Sequence, residues 1–345
     1  MICNSEAVAC NSCYGMVPFS ANMLNLVSLI FSLVFCVSSN AGDISFEAPV
    51  EPGEKVRFAV ISDLTGGERD GVFQVAVNGL SKLQPDFVLT VGDLIEGGTE
   101  DINQLNLEWK VFTEKARGIG SPVYPTVGNH DISNVVQRNW FLKNIGPRYY
   151  HFRYKDYLFL ILDSEDYSDE RFDELAEIRI KGIKIYKEAP EKFAESEYAN
   201  LAERKWGEIR DAQSEYFLKV INENKDARWT FVLLHKPAWE APGDHNFFRI
   251  ENALSGMQYT VFAGHVHAYK YTKRLDQDYI QLGTTGGAFT PTESGEYLDH
   301  ILWVTMDESG PELVNLSLPG IRGKTGQIQY EGIRPCFAQE DCTEQ

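Results

Sequence analysis

The residues able to do chemistry fall into five short polar clusters, each directly after an apolar stretch. They are Asp63 closing "FAVISD", "GDLIE" at 92–96, "GNHD" at 128–131, "LLHKP" at 233–237 and "GHVH" at 264–267. A carboxylate at the end of a buried strand, ahead of a Gly-rich turn, stands where it can hold a metal ion. Taken singly, each cluster reads as ordinary structure, because a His after a strand is usually structural and a Gly-Asp pair is usually a turn. Five in succession, each at a strand end, point to one site beyond the carboxyl edge of a sheet.

The elements that must carry these clusters are set out by apolar runs and helical spacings. "VRFAVIS", "DFVLTVGD" and "PVYPTVGNHD" read as three strands. Between them, residues 70–84 place apolar side chains at helical spacing, with Asp70 as a candidate cap. "LNLEWKVFTEKA" puts Leu105, Trp109, Phe112 and Ala116 on one helix face. "YYHFRY" and "YLFLILDS" pair about a Lys155-Asp156 turn, and the amphipathic helix "DAQSEYFLKVINEN" precedes the strands "WTFVLLH" and "YTVFAGHVH". The chain then closes in antiparallel pairs. Residues 165–212 interrupt this rhythm with a charged, helical stretch, read as an insertion that is either a substrate-selecting lid or a solvated elaboration. The βαβαβ start predicts parallel pairing and the later hairpins antiparallel pairing. The fold class is therefore α/β (α+β), two mixed β-sheets packed as a sandwich and flanked by helices.

At 345 residues the chain can bury a large core. Its formal charge of −18 argues against a nucleic-acid or anionic-membrane partner, which it would repel. A small phosphorylated substrate stays open, since a metal reverses the sign locally. The apolar core Leu24–Val37 is short for a membrane span but suits a secretory signal, with Ser39 and Ala41 forming a cleavage site after Ala41. No Lys or Arg precedes Lys55, so the start is read as Met16 or Met23. An uncleaved anchor and lipidation at Cys36 are the competing readings. Cys3, Cys10, Cys13 and Cys36 fall in this leader, whereas Cys336 and Cys342 could close a small disulfide loop in a periplasmic or secreted protein. Asn315-Leu316-Ser317 matches a glycosylation sequon.

With these motifs in place, the chain resembles a calcineurin-like metallophosphoesterase over roughly residues 55–305. Residues 1–41 are then leader, 42–54 linker, and 306–345 a terminal strand and tail. The resemblance implies two divalent or trivalent metal ions, drawn from manganese, iron, zinc or magnesium, bridged by Asp93. Asp63 and His267 would bind the first, and Asn129, His235 and His265 the second. Oxygen and imidazole donors without thiolate agree with those metals. His130 takes the place of the family's catalytic His at the leaving oxygen, with Asp131 orienting it. The implied reaction is hydrolysis of a phosphate mono- or diester by a metal-bridging hydroxide. Small phosphorylated substrates are the expected partners, with no nucleic-acid patch and no membrane partner after signal cleavage.

One position departs from the family pattern, Asp-x-His. Thr65 stands where the His would be, and its expected part is to cap the turn of Gly66 and Gly67. Purple acid phosphatases also lack this His and use a Tyr three residues after the bridging Asp, where this chain has Glu96. Glu96 is therefore a candidate first-site ligand, against the plainer reading that it faces water from a Gly-rich loop. The missing His also motivates an alternative function: a degenerate member that binds a phosphorylated ligand or a single metal without turnover. Treating the strand-end residues as turn chemistry alone is a third reading. "GTTGG" at 283–287 could approach the site. His151, His245 and His300 are read as structural, and Asp244 as a helix cap.

Overall fold

A computed structural model describes residues 44–46, 55–243, 245–288, 296–321 and 335–336. The leader with its cleavage site, the Asp244 cap and the Cys342 half of the disulfide lie outside them. The first half of the chain runs β1 (Arg57–Ile61), β2 (Glu68–Arg69), α1 (Val72–Leu83), β3 (Phe87–Thr90), α2 (Ile102–Arg117), β4 (Val123–Tyr124), α3 (Val135–Asn144), β5 (Tyr150–Tyr154) and β6 (Tyr157–Ile161). Helices α4 (Asp169–Glu188), α5 (Glu197–Asn200), α6 (Ala202–Trp206) and α7 (Asp211–Glu223) follow. The remainder is β7 (Trp229–Leu233), α8 (Asn246–Ala253), β8 (Tyr259–Ala263), β9 (Lys270–Arg274), β10 (Gln277–Gln281), β11 (His300–Asp307), β12 (Gly310–Ser317) and β13 (Pro335–Cys336).

Two mixed sheets result, ordered β12-β11-β1-β3-β4 and β5-β6-β7-β8-β10-β9. The βαβαβ start does give parallel β1-β3-β4, and the terminal hairpin lies antiparallel on β1. That hairpin carries the first sheet past residue 305, so the terminal strand belongs to the same layer as β1.

Strand alternation builds the layers. Phe58 and Val60 of β1 point between the sheets, while Ala59 and Ile61 point outward under α1 and α2. The inner layer is aromatic: Phe58 stacks on Phe87 at 5.2 Å and meets Phe231 edge-on at 5.0 Å. The apolar stripe Leu105–Trp109–Phe112–Ala116 of α2 is buried on the outer face, as its spacing predicts. Helices α7 and α8 cover the second sheet through Phe217 and Ile250. Asp70 does not cap α1, whose first turn follows Gly71 in the left-handed region with no side-chain cap.

The insertion is tied down at both ends. Asp166 takes Arg148 at 3.3 Å and Arg210 at 3.1 Å, and Lys236 reaches from β7's end to Glu165 at 2.7 Å. Tyr167 and Phe172 are buried in the core beneath α1–α3. Its outer face is solvated, but its inner face is part of the molecule.

His300 is structural, and its chemistry can be read. Gly283 N–H donates to its Nε2 at 3.0 Å, and Nδ1 donates to Asn315 at 2.8 Å, a pairing open only to the neutral ring. Burial lowers its pKa from 6.5 to about 4. The folded chain therefore binds fewer protons than the unfolded chain between those values, so this contribution is whole above pH 6.5 and lost as pH falls toward 4. It amounts to about 3 kcal/mol. Urea unfolding of wild type and His300→Gln should show a shallower acid slope in the variant, and equal slopes would contradict the assignment.

Candidate metal centre

The five clusters meet at one edge of the sandwich, where the strands stop and the backbone turns sharply. Asp63, Asp93, His265 and His267 all adopt the left-handed region, with φ of 38°, 55°, 72° and 58°. Non-glycine residues are rarely held there, and four in one site mark a functional constraint. The glycines beside them allow close approach. A Cβ on Gly128 would collide with the Asp93 carboxylate, and one on Gly264 with that of Asp63.

Two sets of ligand atoms converge, Asp63–Asp93–His267 and Asp93–His235–His265, each within 4.8 Å. Asp93 belongs to both. His235 Nε2 lies 3.2 Å from Asp93 Oδ2 and 3.2 Å from Asn129 Oδ1, and His267 Nε2 lies 3.3 Å from Asp63 Oδ1. Every imidazole is fixed by a backbone carbonyl on its far side. His235 Nδ1 donates to Val91 O at 2.8 Å, His265 Nε2 to Arg204 O at 2.6 Å, and His267 Nδ1 to Ala288 O. Each ring thus turns its other nitrogen into the cluster, the orientation a metal ligand needs. Electrostatics agree. Burial opposes a charge on His235, yet Asp93, Asp63 and Glu165 raise its pKa to about 9, so the pocket attracts positive charge. The donors fit a pair of cations sharing Asp93.

His130 sits beside this pair. Its backbone N–H donates to Asp93 Oδ1 at 2.9 Å, and its Nδ1 donates to Glu96 O at 2.7 Å, leaving Nε2 without a hydrogen-bond partner among the described residues. Burial lowers its pKa, Asp93 opposing and Arg179 reinforcing the effect.

The profile of the calcineurin-like phosphoesterase family matches residues 56–269. The chain belongs to this family. A dimetal phosphatase from Danio rerio shares the fold at 14% identity, with a TM-score of 0.50 over 76% of this chain and 98% of that one. A purple acid phosphatase from yellow lupin seeds, at 12% identity and a TM-score of 0.48, is covered over 50% of its length and 74% of this chain. The Plasmodium protein GAP50, an anchor in the inner membrane complex, aligns at 14% identity with a TM-score of 0.48, over 82% of this chain and 89% of that one. No curated protein matches the chain.

Three expectations, for Asp131, Glu96 and Thr65, need correction. Asp131 does not orient His130, which is held by the Glu96 carbonyl. Its carboxylate instead accepts four backbone N–H groups, those of Asp93, Leu94, Ile95 and Gly128, at 2.8–3.2 Å. It clamps the Asp93 turn to the "GNHD" turn, because an αL residue in a tight loop leaves its neighbours' amides without ladder partners. Glu96 belongs to neither ligand set. It is buried, not solvated, and its Oε1 accepts from Gly67 N at 2.9 Å and Glu68 N at 2.8 Å. Burial raises its pKa to about 7, against the pull of those two bonds. Thr65 does not cap its own turn; its hydroxyl donates to Ile95 O at 2.7 Å. Thr65 and Glu96 together stitch the loop after β1 to the loop after β3. Glu96→Ala should leave metal stoichiometry unchanged by mass spectrometry while lowering stability by about 1–3 kcal/mol, from two amides losing their acceptor. A lost ion would restore Glu96 as a ligand.

"GTTGG" does approach the site: a Cβ on Gly287 would meet His267 Cε1 at 2.9 Å. Sequence reasoning missed Arg179 and Arg204, which reach the centre from the insertion. Arg179 Nη1 donates to Asn129 O at 3.3 Å, and Arg204 supplies the carbonyl that fixes His265. Neither stands in a motif. The only signal was charge in an insertion that follows the strand "YLFLILDS".

Proposed function

We propose that this chain is an exported, metal-dependent hydrolase of small phosphate esters. The observation that carries the reading is the pair of three-ligand sets sharing Asp93, with the free Nε2 of His130 beside them. Two bound cations would supply Lewis-acid polarisation of a phosphoryl group and a nucleophile derived from water. Asp63, Asp93 and the three imidazoles would hold them, and Asn129 would offer an amide oxygen on the His235 side. His130 Nε2 is placed to hydrogen-bond the leaving oxygen, with its neutral form favoured by burial. The fixed tautomers remove the need for ligand reorganisation when a cation arrives.

The substitution at Thr65 supports a second reading, a binder without turnover. Purified chain stripped with chelator and resupplied with manganese, iron, zinc or magnesium separates the two. Hydrolysis of para-nitrophenyl phosphate or bis(para-nitrophenyl) phosphate should vanish on stripping and return with metal. Tight metal retention with no turnover under any supplement favours the binder. Export rests on the 24–37 apolar run, and the amino terminus of the secreted protein should be Gly42. An intact leader on the mature protein would refute it.

A further inference from the structure

A cleft opens from Asn129 toward the insertion and is lined by Tyr167, Arg179, Tyr198, Arg204 and Lys236. Its acids are already matched. Glu165 is paired with Lys236 at 2.7 Å, and Glu203 with Arg171. Lys236 also donates to Glu203 O at 2.9 Å, so its three protons are largely committed. Arg179 and Arg204 differ: among the described residues neither has a carboxylate partner. Arg179 donates to a backbone carbonyl, that of the candidate ligand Asn129. Arg204 lies over the rings of Tyr198 at 5.3 Å and Phe193 at 5.5 Å, which hold the guanidinium flat. In a chain of net charge −18, two half-buried guanidiniums left without acids beside one site are not a solubility device.

Resting on the hydrolase reading above, we propose that Arg179 and Arg204 form an anion subsite for the leaving group, so that the preferred substrate is a phosphoester whose alcohol carries a second phosphate or carboxylate. Geometry places the subsite on that side. Asn129, itself a candidate ligand, lines the cleft, and His130, whose Nε2 would face the leaving oxygen, is its neighbour in the chain. Guanidinium forks suit phosphate and carboxylate oxygens, and the aromatic backing limits the motion lost on binding. The insertion then works as a fixed specificity wall, because its ends are anchored by Asp166 and Glu165.

The test compares an adenosine 3′,5′-bisphosphate with adenosine 5′-monophosphate on the manganese-loaded full chain, wild type against Arg179→Met, Arg204→Met and the charge-keeping Arg179→Lys. Wild type should prefer the bisphosphate in kcat/KM, and each Met variant should shrink that preference about tenfold, with Arg179→Lys between them. A preference unchanged by both Met variants, or absent from wild type, overturns the proposal. Equilibrium dialysis of the bisphosphate against the same proteins separates this failure from failure of the hydrolase reading. With no turnover of either nucleotide, about tenfold weaker binding by the Met variants still supports the subsite, and equal binding rejects it.

Discussion

Asp93→Asn should lower kcat/KM for both nitrophenyl esters by at least about a thousandfold, well beyond the ~10–100-fold typical of a residue that only supports a ligand. The reason is that one side chain serves both ligand sets. Oδ2 lies 3.2 Å from His235 Nε2, and Oδ1 accepts the His130 N–H at 2.9 Å. His235 and His130 hold this carboxyl well below the usual range in spite of its burial, so it is charged at any pH of interest. The amide variant keeps shape and one acceptor but loses that charge. The His130 hydrogen bond can survive, and the fold should persist. Steady-state kinetics with metal analysis checks this, and retention of both ions with a loss under about tenfold would remove Asp93 from the bridging position.

Asp131→Ala is the second large effect, and it should appear in stability before activity. Four buried amides lose their acceptor at once. A single unmet buried amide costs about 1–3 kcal/mol, and four in one turn, relaxing together, about 3–5 kcal/mol. Burial and the Asp93 charge push the Asp131 carboxyl up to about 8, and the N–H groups of Gly128 and Leu94 oppose that rise by stabilising the ionised clamp. His130→Ala offers the contrast, since among the described residues its ring hydrogen-bonds only the Glu96 carbonyl, and the change should cost activity with little shift in denaturation midpoint. Urea unfolding of the metal-free variants decides between the roles. An Asp131→Ala protein as stable as wild type would return Asp131 to the part of an orienting partner.

Much of the fold was legible because its signals are local. The α2 stripe and the alternating β1 residues declare their buried faces through spacing alone. The five strand-end clusters were legible for the same reason: each is a glycine or a strand end followed by a donor, and Gly128 and Gly264 are there because the carboxylates of Asp93 and Asp63 press against them. What escaped was set by distant partners. Nothing near "GNHD" says that Asp131 reaches back to the amides of 93–95, or that Glu96 turns toward 67 and 68 rather than toward a cation. A carboxylate in a loop carries the same letter whether it meets a metal or an amide. The insertion failed differently. Its inward face is defined by Tyr167, by Phe172 and Arg179 of α4 and by Arg204 of α6, and the charged residues crowded between them mask the apolar spacing of α4.

The most direct measurement is anomalous diffraction from crystals soaked with manganese. Two peaks should flank Asp93, one within reach of Asp63 and His267 and the other of His235 and His265. A single peak, or ions seated away from Asp93, would contradict the shared-carboxylate centre on which the functional reading stands.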